Sequence, residues 1–177
     1  MKRNGFTVIE LIITITIMAI LLSLAVVNLE STQANARDAE RKADTEGFAL
    51  NLESYYNGKT TEADAAAGTY PGTNVLSLTA IQNALPDIDK KNLYAPDVDI
   101  TGASISIVAA TTTATATTSI TPKPSKTNDI YVYQPLTASG TICSNPSSAT
   151  VGACRRFNIY YYQESDNAVH VITSKHQ

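Results

Sequence analysis

Apolar and polar positions divide the chain into three stretches. Residues 6–27 read FTVIELIITITIMAILLSLAVV, apolar around the whole of a helix and interrupted only by Thr7, Glu10, Thr14, Thr16 and Ser23. As a helix the run is about 33 Å long at ~1.5 Å per residue, which matches a bilayer core of about 30 Å. The hydroxyls are tolerated there because each can bond back to a carbonyl one turn earlier. Beyond residue 31 the helical period persists with mixed polarity. Phe48, Leu52, Tyr55 and Tyr56 fall at i, i+4, i+7 and i+8 as an apolar stripe, with Ala34, Ala36, Ala39 and Ala43 nearer the apolar run. The interleaved charges of RDAERKADTE read as solvated faces tied by i,i+4 pairs such as Asp38–Lys42. Asn57-Gly58 is a stop signal, so one helix of about 50 residues beginning at Phe6 is predicted.

Sustained periodicity then lapses until about residue 99. GTYPGTN is a turn cluster, and a short helix is predicted over residues 78–85, ended by Pro86. From Ile100 the period switches to two. ISIVAATTTATATTSI, DIYVYQPL, RRFNIYYYQE and VHVITS give about four antiparallel strands, five if the Thr-rich run splits. The low-complexity ATTTATATTS reads as strand, with an exposed, O-glycosylated loop as the alternative. No usable N-x-S/T sequon is present, since Asn145 precedes Pro146. The predicted fold class is α+β: a long amino-terminal helix, transmembrane in its first half, packed on a carboxy-terminal antiparallel sheet.

Charge and cysteines narrow the function classes. The formal net charge is −3, which does not build a bulk positive field for nucleic acid. Arg155 and Arg156 are adjacent but too short a pair to change that, and DNA binding has no support in the sequence. Cys143 and Cys154 bracket the turn-rich SNPSSATVGA with no His between them, so a disulfide closing a surface loop is expected rather than a metal site. The apolar run that would export the head favours oxidation over two reduced thiols.

Catalytic chemistry finds no constellation. There is no G-x-S-x-G, no H-E-x-x-H, no phosphate-cradling Gly loop and no zinc signature. His170 shares a strand face with Ile172 and reads as a strand histidine; His176 lies near the carboxyl end. Asp87, Asp89, Asp97 and Asp99 lack EF-hand spacing and read as turn residues rather than Ca²⁺ ligands. Tyr160, Tyr161 and Tyr162 alternate across a strand and read as packing, with aromatic stacking on a surface or on DNA the weaker alternative. No cofactor, metal or enzyme activity is expected.

Glu10 is the residue that packing does not explain. A carboxylate at a span's centre costs about 2.5–3.5 kcal/mol on insertion scales, less near an end, and is a functional candidate by default. Lys2 and Arg3 place the amino terminus on the cytoplasmic side, a preference weakened by Arg37, Arg41 and Lys42 beyond the span. A plain anchor gives no reason for Glu10. A secretory signal cut after the ANA at residues 34–36 would need an apolar core of about 7–15 residues, shorter than this one.

Lys2-Arg3-Asn4-Gly5 followed by Phe6-Thr7-Val8-Ile9-Glu10 resembles the class III signal of type IV pilins and pseudopilins. The resemblance implies cleavage by a prepilin peptidase between Gly5 and Phe6, N-methylation of Phe6, and assembly through Phe6, Thr7 and Glu10. It implies the family fold, a long helix packed on a sheet. It divides the chain into a leader (1–5), a transmembrane and assembly helix (6–28), its amphipathic continuation (29–57), an αβ-loop (58–99) and a sheet head with the disulfide loop (100–177). Implied partners are further copies in a helical filament, an assembly platform, minor pilins, and the cytoplasmic membrane before assembly. In a staggered bundle Glu10 would meet the α-amino group of Phe6 on a neighbour, each otherwise lacking a partner in an apolar setting. The expected role is a pilus subunit, most simply the major pilin, serving adhesion, motility or DNA uptake. A pseudopilin of type II secretion, or a Sec-exported soluble binding protein cut near Ala36, are the rivals. Many family members carry a helix-breaking Pro near the end of the apolar run, and this chain does not.

Overall fold

The computed structural model describes residues 5–58, 68–102, 104–114, 116–144 and 153–176. The leader before Gly5, residues 59–67 of the αβ-loop, position 115 of the Thr-rich run and residues 145–152 of the cysteine loop lie outside them.

Helix α1 runs unbroken over Val8–Asn57, 50 residues. It starts two residues later than the apolar run because Thr7 takes the extended conformation and caps it. It ends where the Gly58 N–H donates back to the Ser54 carbonyl at 2.7 Å. Thr14 Oγ1 donates to the Leu11 carbonyl and Ser23 Oγ to that of Ile20, so the span's hydroxyls are internally satisfied. Its residues up to 25 are all exposed, whereas the second half is seated on the head.

The seated stripe differs from the expected one. Phe48 and Leu52 are buried as predicted, joined by Ala49, but the stripe continues downward through Thr45, Asp44, Arg41 and Asp38, all buried. The charges over residues 37–46 are therefore not simply solvated. Lys42 does pair with Glu46 at 3.9 Å on the exposed face. Asp38 instead pairs inward with Arg41 at 3.2 Å, at i,i+3. Partners brought from far along the chain, described below, make that burial tolerable.

Helix α2 spans Leu78–Ala84, capped by Ser77 and anchored by buried Ile81. Short 3₁₀ turns at Thr73–Val75 and Lys90–Leu93 complete the connection to the sheet. The sheet has four strands in the order β1 (Ile107–Ala109), β2 (Tyr131–Thr137), β3 (Cys154–Gln163), β4 (Ala168–Thr173). β2–β3 and β3–β4 are antiparallel, as expected, but β1 runs parallel to β2 and the sheet is mixed. The reason lies in the segment between them. Instead of turning as a hairpin, the chain leaves β1 and lays Ala110, Ala114 and Ile120 over Val132 and Tyr160 on the sheet face away from α1. It closes through Thr111 N–H to the Thr121 carbonyl at 2.7 Å and crosses back to begin β2 at the end where β1 began. Ala110 and Ala114 press inward while Thr111, Thr112, Thr113 and Thr118 stay exposed. Most of the predicted Thr-rich strand is thus a cover for the second sheet face, which otherwise would be bare.

That cover makes β2 buried along its whole length. Pro135 is accommodated because β1 pairs only as far as Tyr133, so no neighbour needs its missing N–H. The main core lies between α1 and the sheet. Phe48 meets Tyr133 edge-on at 5.6 Å, and Tyr70 meets Phe157 at 4.8 Å. Such pairs each contribute about 0.5–1.5 kcal/mol beyond area burial. Cys143 and Cys154 are disulfide-bonded, with both sulfurs inside this core. By loop-closure entropy the bond is worth about 2–3 kcal/mol.

Candidate assembly site

Gly5, Phe6, Thr7 and Glu10 sit together at the first turn of α1. Gly5 and Phe6 precede the helix and are exposed, Phe6 at 87 %. A Cβ added at Gly5 would meet nothing within 4 Å. The Gly5–Phe6 bond is therefore outside the helical hydrogen-bond ladder and open to approach. Glu10 Oε2 accepts from the Thr7 N–H at 2.8 Å and from Thr7 Oγ1 at 2.7 Å, while Thr7 Oγ1 accepts from the Glu10 N–H at 3.3 Å. This is a reciprocal capping box. It corrects the expectation that Glu10 lacks a partner within its own chain: Thr-x-x-Glu at a helix start was legible in TVIE and supplies one. Both donors go to Oε2, leaving Oε1 for a donor from outside.

Behind this cap, Val8, Ile9, Leu11, Ile12 and their successors up to Leu24 are exposed on all sides. The helix is apolar and long enough to cross a membrane, and none of the qualifying stretch is buried in the chain. Both sides of such a helix call for a non-aqueous neighbour, lipid or another apolar helix.

Where the helix reaches the head, a charge cluster clamps it. Glu164, at the β3–β4 turn, accepts from Arg37 Nε and Nη2 at 2.8 Å each and from Arg41 Nη1 at 2.9 Å. Lys126 Nζ stands 3.2 Å from its second oxygen. Arg41 Nη2 also donates to Asp129 at 2.8 Å. Asp38 accepts the backbone N–H groups of Glu164 and Ser165 at 2.7 and 2.8 Å. The Arg37 guanidinium, joined by Arg41 and Lys126 against a smaller opposing effect of burial, holds the Glu164 carboxyl well below the usual carboxylate range. Burial alone would raise Asp38, but the two backbone N–H groups and Arg41 outweigh it and its pKa is lowered. One turn up, burial pushes Asp44 to about 6 even though Tyr131 Oη donates to it at 3.1 Å. Higher still, Glu53 accepts from Tyr70 Oη and from the Lys175 N–H, tying the carboxy-terminal tail to the helix, where His176 stacks on Tyr56 at 4.1 Å.

Other residues singled out from the sequence fall apart from the amino-terminal site. Arg155 and Arg156 donate to the carbonyls of Gly68 and Ala138 and pin loops rather than forming a free basic patch. His170, half-buried on the same face of β4 as Ile172 and beside the Tyr161 ring, meets Asp166 at 2.7 Å. Tyr161 belongs to the core against α1 and Tyr160 to the second cluster under the Thr-rich cover. Among the described residues no group of His, Cys, Asp or Glu is placed to hold a metal.

Residues 1–26 match the family model described as the prokaryotic N-terminal methylation motif. No curated protein and no solved structure matches the chain. The motif supports a class III signal, and with it a type IV pilin-like or pseudopilin protein. The apolar helix behind the motif fits a membrane-anchored precursor.

Proposed function

We propose that this chain is the major subunit of a type IV pilus, cut by a prepilin peptidase between Gly5 and Phe6, N-methylated at Phe6 and polymerised through α1 into a surface filament. The observation carrying the proposal is the methylation motif at residues 1–26 set on a helix whose first half is apolar and uncovered. Cleavage would create an α-ammonium at Phe6, next to the Thr7 that holds Glu10. In the bundle, Glu10 Oε1 accepts the ammonium of a neighbouring subunit while Oε2 keeps its two bonds to Thr7. The capping box thus orients the carboxylate before the partner arrives. A charge pair in an apolar medium then fixes the stagger of subunits, as one buried polar residue fixes register in a coiled coil. The assembly platform, minor pilins and cytoplasmic membrane would act on this same helix.

Intact-mass and amino-terminal analysis of protein sheared from the cell surface tests the proposal. A chain beginning at methylated Phe6 and abundant in the sheared fraction is expected. The same processed chain retained in the envelope would indicate a pseudopilin instead, and a chain beginning beyond Ala36 would discard the helix and the proposal together. Glu10→Gln should be processed and inserted yet fail to form filaments; normal filaments would eliminate the pairing role.

A further inference from the structure

A cleft of about 600 Å³ opens between the segment that follows the Thr-rich cover and the β3–β4 hairpin. Nothing in the assembly site or the clamp accounts for it. Its apolar part is made by half-buried Tyr162, Ala168 and Val169 with buried Pro124. Thr117, Thr118, Ser125 and Thr127 contribute hydroxyl-bearing side chains, and Lys123 and Lys126 contribute ammonium groups. The wall is preformed. Asn128 accepts the Ser125 N–H and donates to the Lys123 carbonyl, both at 2.8 Å, which locks the loop that carries the lysines. Tyr162 Oη donates to Asn167 Oδ1 at 2.6 Å, occupying that acceptor and leaving the Asn167 amide N–H₂ as a donor at the cleft.

We infer that this cleft binds a short saccharide bearing a carboxylate. An aromatic ring beside small apolar groups suits the C–H face of a sugar. Hydroxyls, which both donate and accept, suit its ring of hydroxyls, and the volume is that of a small-molecule site with a few orienting polar groups. The two ammoniums call for an anion. Lys126 is already shared with Glu164, whereas Lys123 has no carboxylate partner among the described residues. That leaves one cation for one anionic group. A nucleic acid would need several phosphates neutralised along its length, and a chain of net charge −3 offers no such track. A lipid headgroup is out of reach. Lys126 joins the clamp at the level of Arg37 and Arg41, about 15–20 Å along the helix from residue 27 at ~1.5 Å per residue, while the headgroup layer adds only about 5–7 Å per side.

The inference goes beyond filament assembly and does not rest on it. Its test is calorimetric or NMR titration of the full chain in detergent with tri-galacturonate, its neutral parent trisaccharide, inorganic phosphate and oligothymidylate. The acidic trisaccharide should bind at least tenfold more tightly than the neutral one. Lys123→Ala should weaken it by about tenfold or more, with Lys123→Arg restoring most of the loss, and Asn167→Ala should weaken it severalfold. Lys123 is exposed and outside the clamp, so folding is not at stake; an unchanged melting curve for Lys123→Ala verifies that. No binding of the acidic trisaccharide, equal binding of the neutral one, tighter binding of oligothymidylate, or an unchanged Kd in Lys123→Ala would each overturn the assignment.

Discussion

The two halves of α1 reverse the ordinary relation between polarity and burial. Up to residue 25 the helix is apolar, Glu10 and its hydroxyls aside, and exposed; from Asp38 to Glu53 its inward stripe is half charged and buried. The lower half needs no particular neighbour in its own chain, because hydrophobic surface is satisfied by any apolar medium. The upper half tolerates its charges only because specific donors and acceptors meet them: Glu164 lies 127 residues from Arg37 in sequence yet forms two hydrogen bonds with it. Non-directional forces thus govern where the helix goes, and directional ones govern how the head is set upon it. A chain built this way can present a greasy stalk to an apolar medium without loosening the head.

The contrast can be broken first at Glu164. Glu164→Ala removes the carboxylate that Arg37 pairs with and leaves Arg41 with only Asp38 and Asp129, and should destabilise the head by about 3 kcal/mol, as expected when one partner of a buried pair is removed, read as a lowered denaturation midpoint of the full chain in detergent. Ile17→Asp is the converse. It should leave that midpoint unchanged while disfavouring membrane insertion by about 2.5–3.5 kcal/mol, read in an insertion assay. A shift of the head's midpoint by this second variant would mean the halves are coupled.

A smaller effect comes from pH. Asp44, whose folded pKa of about 6 lies above its ordinary 3.8, gives a stability contribution present below 3.8 and lost as pH rises through 6. Glu164, held below its ordinary 4.5, gives the opposite: present above 4.5 and lost as pH falls. Stability should therefore peak at about pH 4, where the acid limb of Glu164 ends and the loss from Asp44 begins. Asp44→Asn, which keeps an acceptor for Tyr131, should abolish the loss between pH 4 and 7 and leave the acid limb intact; melting curves across pH decide it. Least affected should be Lys42→Ala. Its pair with Glu46 is exposed on both sides, so the change should stay within about 0.5 kcal/mol.

These expectations bear on what could be read before folding. The helix, its stop at Asn57-Gly58, α2, β2, β3, β4 and the oxidised cysteines were all legible, since each rests on local period, turn chemistry or composition. The capping box was legible too, in the spacing of Thr7 and Glu10, though the carboxylate's oddity in an apolar run drew attention to an external partner instead. The buried stripe at Asp38, Arg41 and Asp44 was not. A helical period written in charged residues looks the same whether it faces water or a distant Glu164.

The amino-acid sequence by itself determined the membrane-length helix, the methylation motif at its start and the strand-rich head, because one-dimensional spacing maps directly onto helix and strand geometry. Only the tertiary structure decided that β1 runs parallel, that the Thr-rich run roofs the sheet rather than joining it, that the clamp forms, and that a cleft with Lys123 at its rim exists. Those features depend on which residues meet across long stretches of chain, from Ile107 with Tyr131 in the parallel pair to Arg37 with Glu164, 127 positions apart, in the clamp, and local pattern carries no record of such meetings.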